Sequence, residues 1–307
     1  MPFQRTVSLL PSATEIVCAL GLTDRLVGRS HECDYPATVR DLAVCTASKL
    51  PFDGDSAGID RSVQSIVRQA LAVYRVDGER LRMLRPDVVI TQTQCDVCAV
   101  TPRQVEAALE DWLDYKPKVV ALQPDDLAAI WRDIGLIADA LGAAGAGIEL
   151  AATIRRRMQT IAERAALAPH RPRLACIEWI EPLMSPGNWL PELVAMAGGE
   201  HLFGTAGAHS PWLEWGDLRA ADPDIILVHP CGWDMAMARA NMHYLVDRPQ
   251  WRHLKAVRSG RVYVADGNQY FNRPGPRLVE SLEILAELLH PELFARRHQG
   301  SGWQRFD

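Results

Sequence analysis

Two stretches of the chain repeat one pattern, and this repetition constrains the fold more than any other feature. Residues 81–90 (LRMLRPDVVI) and residues 218–227 (LRAADPDIIL) each combine a helix end, a Pro-Asp turn and a run of buried strand residues. A strand pattern also restarts at residues 174–179, after a helical middle section. Because strands that alternate with helices form parallel sheets covered by helices, the repetition predicts two similar α/β lobes.

Apolar runs and helical spacing predict how the two lobes are built and joined. The strands predicted for the first half are residues 6–10, 26–29, 88–92 and 118–122. In the middle, residues 125–141 and 148–167 have helical spacing, and the segment GAAGAG (142–147) is predicted to break the helix between them. The predicted domains are an N-terminal lobe (1–124), a connecting helical segment (125–170) and a C-terminal lobe (171–307).

Local signals predict where several helices begin and end. Ser12 is predicted to cap the first helix, with Glu15 three residues later completing a capping box. Asp77 is predicted to cap a helix that ends just before the first Pro-Asp turn. Residues 277–289 predict a C-terminal helix, and the polar tail beyond residue 294 is predicted to fray.

Composition excludes several classes of protein. The net charge of -5 provides no basic field, so we predict no nucleic-acid partner. No run approaches about 18 apolar residues, so no transmembrane helix is predicted. Seven cysteines are an odd number, which argues against a disulfide scaffold. Residues 1–10 lack the pattern of a secretory signal, so we predict a cytoplasmic protein, or a periplasmic one if a leader has been removed.

The sequence lacks the motifs of the common enzyme classes. It contains no G-x-S-x-G motif, no phosphate loop and no dinucleotide-binding glycine fingerprint. Glu178 and Glu181 both follow a predicted strand, but sequence alone does not define them as an acid–base pair. The motifs therefore give no support for a conventional enzyme.

Four motifs resemble those of one family, the cobalamin-binding components of bacterial ABC importers. The motifs are residues 7–15 (VSLLPSATE), 30–36 (SHECDYP), 211–212 (PW) and 270–277 (YFNRPGPR). They match the family in type and order, and the resemblance covers about residues 5–290. It implies two Rossmann-like lobes with parallel sheets, joined by a single long helix, with the ligand in a cleft between the lobes. It also implies delivery of the ligand to an ABC transporter permease.

The expected ligand is cobalamin or a related corrinoid, a large flat ring that needs aromatic walls and a few hydrogen-bond donors. Ligands of open α/β sheets bind beyond the carboxyl ends of the strands. The ligand-binding residues predicted from these two arguments are Pro11, Ser12, Ala13, His31, Tyr35, Trp179, Trp212, Tyr270 and Phe271. For the aromatic residues the alternative is ordinary core packing.

The resemblance also implies an acidic docking residue for the permease on each lobe. Glu79 and Asp217 are the matching positions. The alternative is that these carboxylates only stabilise helix N-termini.

Four further residues depart from the family and suggest a metal site. His31 and Cys33 follow one predicted strand, and Cys95 and Cys98 follow another strand of the same sheet. One imidazole and three thiols would suit zinc or an iron–sulfur cluster. The alternatives are an axial bond from His31 or a thiolate to a bound cobalt or iron, a redox dithiol pair, and simple packing.

Three hypotheses follow from the sequence. The first is a binding protein for a corrinoid or similar metal chelate. The second is a cytoplasmic metalloprotein or iron–sulfur enzyme that uses the His31, Cys33, Cys95 and Cys98 set. The third is a cytosolic corrinoid chaperone or scavenger that acts with other proteins. No heptad stripe is present, so we predict a monomer.

Overall fold

The computed structural model describes residues 4–49, 54–68, 74–93, 103, 105–106 and 116–307. They divide into two compact units. The first unit takes the described residues within 1–53, 61–124 and 128–153. The second unit takes Gly54–Asp60, Asp125–Leu127 and Ile154–Asp307.

The first unit is built on a five-stranded parallel sheet in the order β3-β2-β1-β6-β7. The elements in this part of the chain are β1 (Thr6–Ser8), α1 (Pro11–Ala19), β2 (Leu26–Arg29), β3 (Ala43–Val44), β4 (Thr46–Ser48), α2 (Ser56–Arg68), β5 (Tyr74–Val76), α3 (Gly78–Leu84), β6 (Val88–Gln92) and β7 (Lys118–Leu122). Strands β1 and β6 are buried along their whole length, as expected for central strands covered on both faces. Strands β4 and β5 form a separate two-stranded antiparallel sheet.

Two helices follow β7, α4 (Leu127–Ala140) and α5 (Ala144–Ala165). Gly142 has φ +67, a left-handed conformation that ends α4 without the cost a side chain would incur. The predicted break at residues 142–147 is wrong in extent, because α5 already begins at Ala144. The division between the units falls within α5, after Thr153.

The second unit repeats the design with the order β12-β11-β10-β8-β9. Its elements are β8 (Arg173–Ile177), α6 (Leu190–Met196), β9 (Glu200–His201), α7 (Trp215–Ala221), β10 (Ile225–Val228), α8 (Met235–Ala240), α9 (His243–Val246), α10 (Lys255–Arg258), β11 (Val262–Ala265), α11 (Leu278–Leu289) and β12 (Trp303–Arg305). All neighbours are parallel except β12, which is antiparallel to β11. The predicted α/β class with two parallel sheets is confirmed.

The two Pro-Asp turns form the same hydrogen bonds in both units. In the first unit, Arg5 N donates to Asp87 Oδ2 over 2.7 Å, just before β1. In the second unit, Arg173 N donates to Asp224 Oδ2 over 2.8 Å, at the start of β8. In both, the strand after the turn pairs with the first strand of the unit. The repetition seen in the sequence is therefore a repetition of structure.

The short segment Gly54–Asp60 belongs to the second unit by its contacts. Ser56 is fully buried there, and its backbone N donates to Asn241 Oδ1 over 3.0 Å. Its hydroxyl accepts from Glu181 N over 2.9 Å, and Tyr244 donates to Asp55 Oδ2. The first turn of α2 is therefore part of the second unit and is held by hydrogen bonds within that unit.

Two predictions, one about the start of helix α1 and one about the C-terminal tail, are corrected. Helix α1 begins at Pro11, its N-cap is Leu10, and no side chain caps it, so the predicted Ser12 cap is wrong. Proline suits this first position because it lacks only an N–H that would have no helical partner. The tail beyond residue 294 is not frayed, because β12 pairs with β11 and Trp303 is buried. The predicted Asp77 cap is confirmed, since its side chain accepts from Arg80 N.

In the part of the chain that the structure describes, no helix is long and apolar enough to cross a membrane.

Candidate functional site

In the first unit, the loops that follow β1 and β2 carry most of the residues predicted to bind ligand. Helix α1 begins two residues after β1, at Pro11. The side chains of Ser12 and Ala13 are buried. No side chain caps α1, so the amides of its first turn are what these positions offer to a ligand.

His31 follows β2 directly and is held by a polar network. Its backbone N donates to Thr46 Oγ1 over 3.1 Å, and its Nδ1 lies 2.8 Å from the same oxygen. The imidazole ring packs against Tyr74, with ring centroids 5.4 Å apart. Partial burial, and secondarily the charge of Arg29, lower the pKa of His31, so the imidazole is neutral near pH 7.

Cys33 lies in the core of the first unit. It is 1% exposed, and its Sγ is 3.1 Å from the hydroxyl of Thr14 on α1. The side chains of His31 and Cys33 therefore contact different elements. Among the residues that the structure describes, no three His, Cys, Asp or Glu side chains are grouped to hold a metal ion. Cys95 and Cys98 lie outside the described residues, so the four-residue metal set stays a prediction.

Tyr35 is the most exposed aromatic residue predicted for the ligand site of the first unit. It is 44% exposed, although its ring is largely apolar. An exposed aromatic ring near the end of a parallel strand is available to a flat ligand.

In the second unit, three short extended segments place two tryptophans beyond the end of β8. Trp179 forms an antiparallel bridge with Met184, and Met184 forms another with Trp212. Trp212 is 55% exposed. Trp179 packs against Trp233 with ring centroids 5.0 Å apart. The buried indole N–H of Trp179 has no hydrogen-bond partner among the described residues.

Tyr270 and Phe271 are neighbours in sequence but have different environments. Tyr270 is partly exposed and lies beneath the guanidinium of Arg277, 5.6 Å from the ring centroid. Phe271 is 2% exposed and stacks on His229 at 4.6 Å. For Phe271 the burial of the ring favours the alternative, core packing in the second unit, and its ligand contact stays a prediction.

Two further titratable side chains of the second unit, His229 and Glu178, lie just beyond the ends of β10 and β8. His229 follows β10 and is fully buried, and neither ring nitrogen has a partner among the described residues. Burial, with a smaller effect of His201, lowers the pKa of His229 to about 3. Glu178 accepts a hydrogen bond from Ser210 over 2.6 Å, and burial raises its pKa.

Glu181 has partners different from those of Glu178. It forms an ion pair with Arg248, so the two carboxylates do not share a proton or a partner. Arg273 and Arg277 are both buried in the loop before α11. Their motif, RPGPR, contributed to the resemblance, but burial of two guanidinium groups could not be predicted from it.

Glu79 and Asp217 occupy matching elements of the two units. Each lies in the first turn of a seven-residue helix, α3 or α7, that precedes a Pro-Asp turn. Both side chains are exposed. This position also favours acidic residues for the helix dipole alone, so their docking role stays a prediction.

Comparison with known proteins decides the family. The family described as Periplasmic binding protein matches residues 7–268. The chain belongs to the periplasmic binding protein family. Its members are substrate-binding proteins and not enzymes. The prediction of a binding protein is therefore confirmed at the level of the family.

Two curated relatives of the family align with almost the whole chain. The ABC transporter substrate-binding lipoprotein YvrC of Bacillus subtilis is 24% identical over 302 residues, which cover 95% of this chain and 81% of the relative. The vitamin B12-binding protein of Vibrio cholerae is 23% identical over 296 residues, covering 94% and 90%. The resemblance to cobalamin-binding proteins of ABC importers is confirmed.

Solved structures of the same fold include binding proteins for two chelates. The periplasmic vitamin B12 binding protein BtuF of Vibrio cholerae has a TM-score of 0.67 and 22% identity, covering 94% of this chain and 98% of that chain. The periplasmic heme-binding protein RhuT of Roseiflexus sp. RS-1, in apo form, has a TM-score of 0.69 and 22% identity, covering 93% and 97%. At this identity the similarity establishes the fold and leaves the ligand open.

Proposed function

We propose that this protein binds a flat metal chelate, cobalamin or a related corrinoid, and delivers it to the permease of an ABC importer. The observation that carries the proposal is the exposure of Tyr35 and Trp212, one in each unit. Both follow a strand or an extended segment at the carboxyl end of a parallel sheet, where ligands of α/β folds bind. Relatives named for vitamin B12 binding support this ligand class.

The remaining contacts of the proposed site come from neighbouring aromatic rings and from backbone. Trp179 offers part of its ring, held by the bridge to Met184 beyond the end of β8. Tyr270 offers a partly exposed ring. Pro11, Ser12 and Ala13 contribute backbone at the start of α1. In this proposal the ligand is clamped between an N-terminal lobe (1–124) and a C-terminal lobe (171–307), joined by residues 125–170.

Heme is the second candidate ligand. Heme-binding proteins are among the solved structures with this fold, at TM-scores of 0.69 and 0.70. Heme and corrins share a flat ring with a metal that accepts axial ligands, so the same aromatic walls suit both. The two differ in charge, because heme carries propionates and a corrin carries amides.

Delivery to a permease would use Glu79 and Asp217, which are exposed at the starts of α3 and α7. The names of the relatives, periplasmic proteins and a lipoprotein, favour the periplasmic location over the cytoplasmic one. Cell fractionation of the native gene product tests the location. Co-purification with and without a Glu79→Arg, Asp217→Arg double substitution tests docking.

Isothermal titration calorimetry with cobalamin, cobinamide and hemin tests the ligand. We expect one cobalamin or cobinamide per chain and weaker binding of hemin. Tighter binding of hemin would favour the second candidate. Iron or zinc near one per chain in protein purified without oxygen, lost in a Cys95→Ser, Cys98→Ser variant, would favour the metalloprotein hypothesis instead. Cobalamin binding only alongside a co-purified cytosolic protein would favour the chaperone hypothesis.

A further inference from the structure

The hydrogen-bond network around His31 favours one of its two tautomers. The hydroxyl of Thr46 donates to Ser30 Oγ over 3.0 Å. A hydroxyl has one hydrogen, so Thr46 Oγ1 can only accept in its other contacts. It accepts from His31 N at 3.1 Å and lies 2.8 Å from His31 Nδ1. With the Thr46 hydroxyl donating to Ser30, the proton that completes this network lies on Nδ1, and Nε2 keeps its lone pair.

The imidazole is also held in one orientation. Tyr74 packs against the ring at 5.4 Å with an interplanar angle of 48°, and its hydroxyl donates to Glu32 Oε1 over 3.0 Å. The two contacts and the Thr46 bond restrain both the position and the rotation of the ring. Nε2 has no hydrogen-bond partner in the described part of the chain. His31 is partly exposed and lies just after the end of β2.

This arrangement is the one that metal-binding histidines use. Such a histidine gives its second N–H to an oxygen acceptor, which fixes the tautomer and makes the other nitrogen a better donor. Cys33 is a poor alternative donor, because its side chain is buried against Thr14.

We propose that His31 Nε2 forms an axial bond to the metal of the bound chelate. The inference rests on the proposed function, since it requires a corrinoid or porphyrin at this edge of the sheet. It specifies the ligand class further, as a chelate with an exchangeable axial water. In binding, the metal–oxygen bond to that water breaks, the metal–nitrogen bond forms and water leaves. No electron is transferred and no proton moves, because Nε2 is already unprotonated.

Electron paramagnetic resonance of cob(II)inamide bound to the protein tests this bond directly. Cobinamide lacks the nucleotide base of cobalamin, so an axial nitrogen must come from the protein. We expect the cobalt lines to split into triplets with ordinary histidine and into doublets when the protein carries ¹⁵N-labelled histidine, because the two nitrogen nuclei differ in spin. Cobalt lines without nitrogen splitting, in a sample shown by calorimetry to be saturated, would overturn the proposal.

Three variants refine the test. His31→Gln should abolish the splitting, whereas His253→Gln, at an exposed histidine of the second unit, should retain it. Thr46 is a positioning residue in this proposal, and Thr46→Val removes the acceptor of the Nδ1 proton. It should weaken cobinamide binding by about 10-fold to 100-fold, the usual effect of losing such a partner, while ¹⁵N splitting persists at saturation.

The outcomes separate the inference from the function on which it rests. Wild-type protein that binds neither cobinamide nor hemin would refute both. Wild-type protein that binds cobinamide with the same affinity and the same unsplit spectrum as His31→Gln would refute the axial bond alone. Splitting that changes with the isotope supports both, and it does so in the unmodified protein, whether or not the variants fold.

Discussion

Trp212 is a large aromatic residue that the fold leaves 55% exposed, while the backbone on both sides is fixed. Leu213 N donates to Leu183 O over 2.9 Å, and Ser185 N donates to Pro211 O over 3.0 Å. The ring is thus presented by a rigid segment, which lowers the entropy cost of using it in binding. This combination is more typical of a binding surface than of core packing.

We predict that Trp212→Ala weakens cobalamin binding by about 1–3 kcal/mol, the scale of one buried aromatic contact. Because more than half of the residue is exposed, the free energy of unfolding should change much less. Calorimetry gives the first quantity and urea denaturation the second. The matched control is Trp215→Ala, since Trp215 bonds to Pro249 O on the same unit and packs near Trp251. Equal affinity losses in both variants would contradict the assignment.

His229 makes the stability of the second unit depend on pH. Its pKa is about 3 in the folded protein and near 6.5 when unfolded. Between these values the unfolded chain binds more protons, so stability is complete above about pH 6.5 and decreases as the pH falls. We predict a contribution of up to about 1.4 kcal/mol per pH unit, measured by urea denaturation between pH 7 and pH 5. His229→Gln should reduce this slope, and parallel curves for both proteins would refute the assignment.

At the residue scale, the sequence predicted which aromatic residues follow the strands, but it did not predict which of them are exposed and which are buried. Tyr35 and Trp212 were predicted and are exposed. Tyr270 and Phe271 could not be separated, because in a loop no fixed period determines which side chain faces inward. Phe271 has φ +62, an unusual conformation for a residue with a side chain, and its ring is buried against His229. Tertiary contacts of this kind leave no local trace in the sequence.

At the scale of elements, the Pro-Asp turns offer a matched pair for measurement. Asp224 accepts from Arg173 N and pairs with Lys255, and it is largely shielded from solvent. Asp87 accepts from Arg5 N in the same way but is exposed.

We predict that Asp224→Ala lowers the free energy of unfolding by about 1–3 kcal/mol and Asp87→Ala by less than about 1 kcal/mol, because a shielded N–H left without a partner costs more. Chemical denaturation of both variants gives the comparison. A larger loss for Asp87→Ala would contradict it.

Strands were easier to predict than helix and chain ends. The predicted strands at residues 26–29, 88–92 and 118–122 agree with β2, β6 and β7, since each is a short apolar run between turn signals. The tail was predicted to fray because it is polar. In the structure, the buried carboxylate of Glu287 accepts from Trp303 Nε1 over 2.8 Å and from Arg297 N over 2.9 Å. Hydrogen bonds between residues so far apart in sequence produce no periodic pattern, so the order of the tail could not be predicted from the sequence.

At the scale of the whole molecule, the repeated pattern predicted two parallel sheets, and both exist. The edge strands of the two sheets differ, and the repeated sequence pattern does not predict this difference. The first unit extends its sheet with the parallel strand β3, and the second with the antiparallel β12. The repeat covers the Pro-Asp turn and the central strands, which are constrained by burial on both faces. Edge strands are less constrained, and neither β3 nor β12 lies within the repeated segments.

The proposed clamp predicts that ligand binding protects both units together. A ligand at 100 times its dissociation constant stabilises the folded state by about 2.7 kcal/mol, and amides that exchange only by opening the site should slow accordingly. Hydrogen exchange with and without cobalamin should therefore show protection at residues 31–35 of the first unit and at residues 179–184 and 211–213 of the second. Trp212→Ala should require more cobalamin for the same protection in both regions, because one ligand links them. Protection confined to one unit would mean that the chelate binds a single lobe, and the two-lobed clamp would have to be abandoned even if the affinity were high.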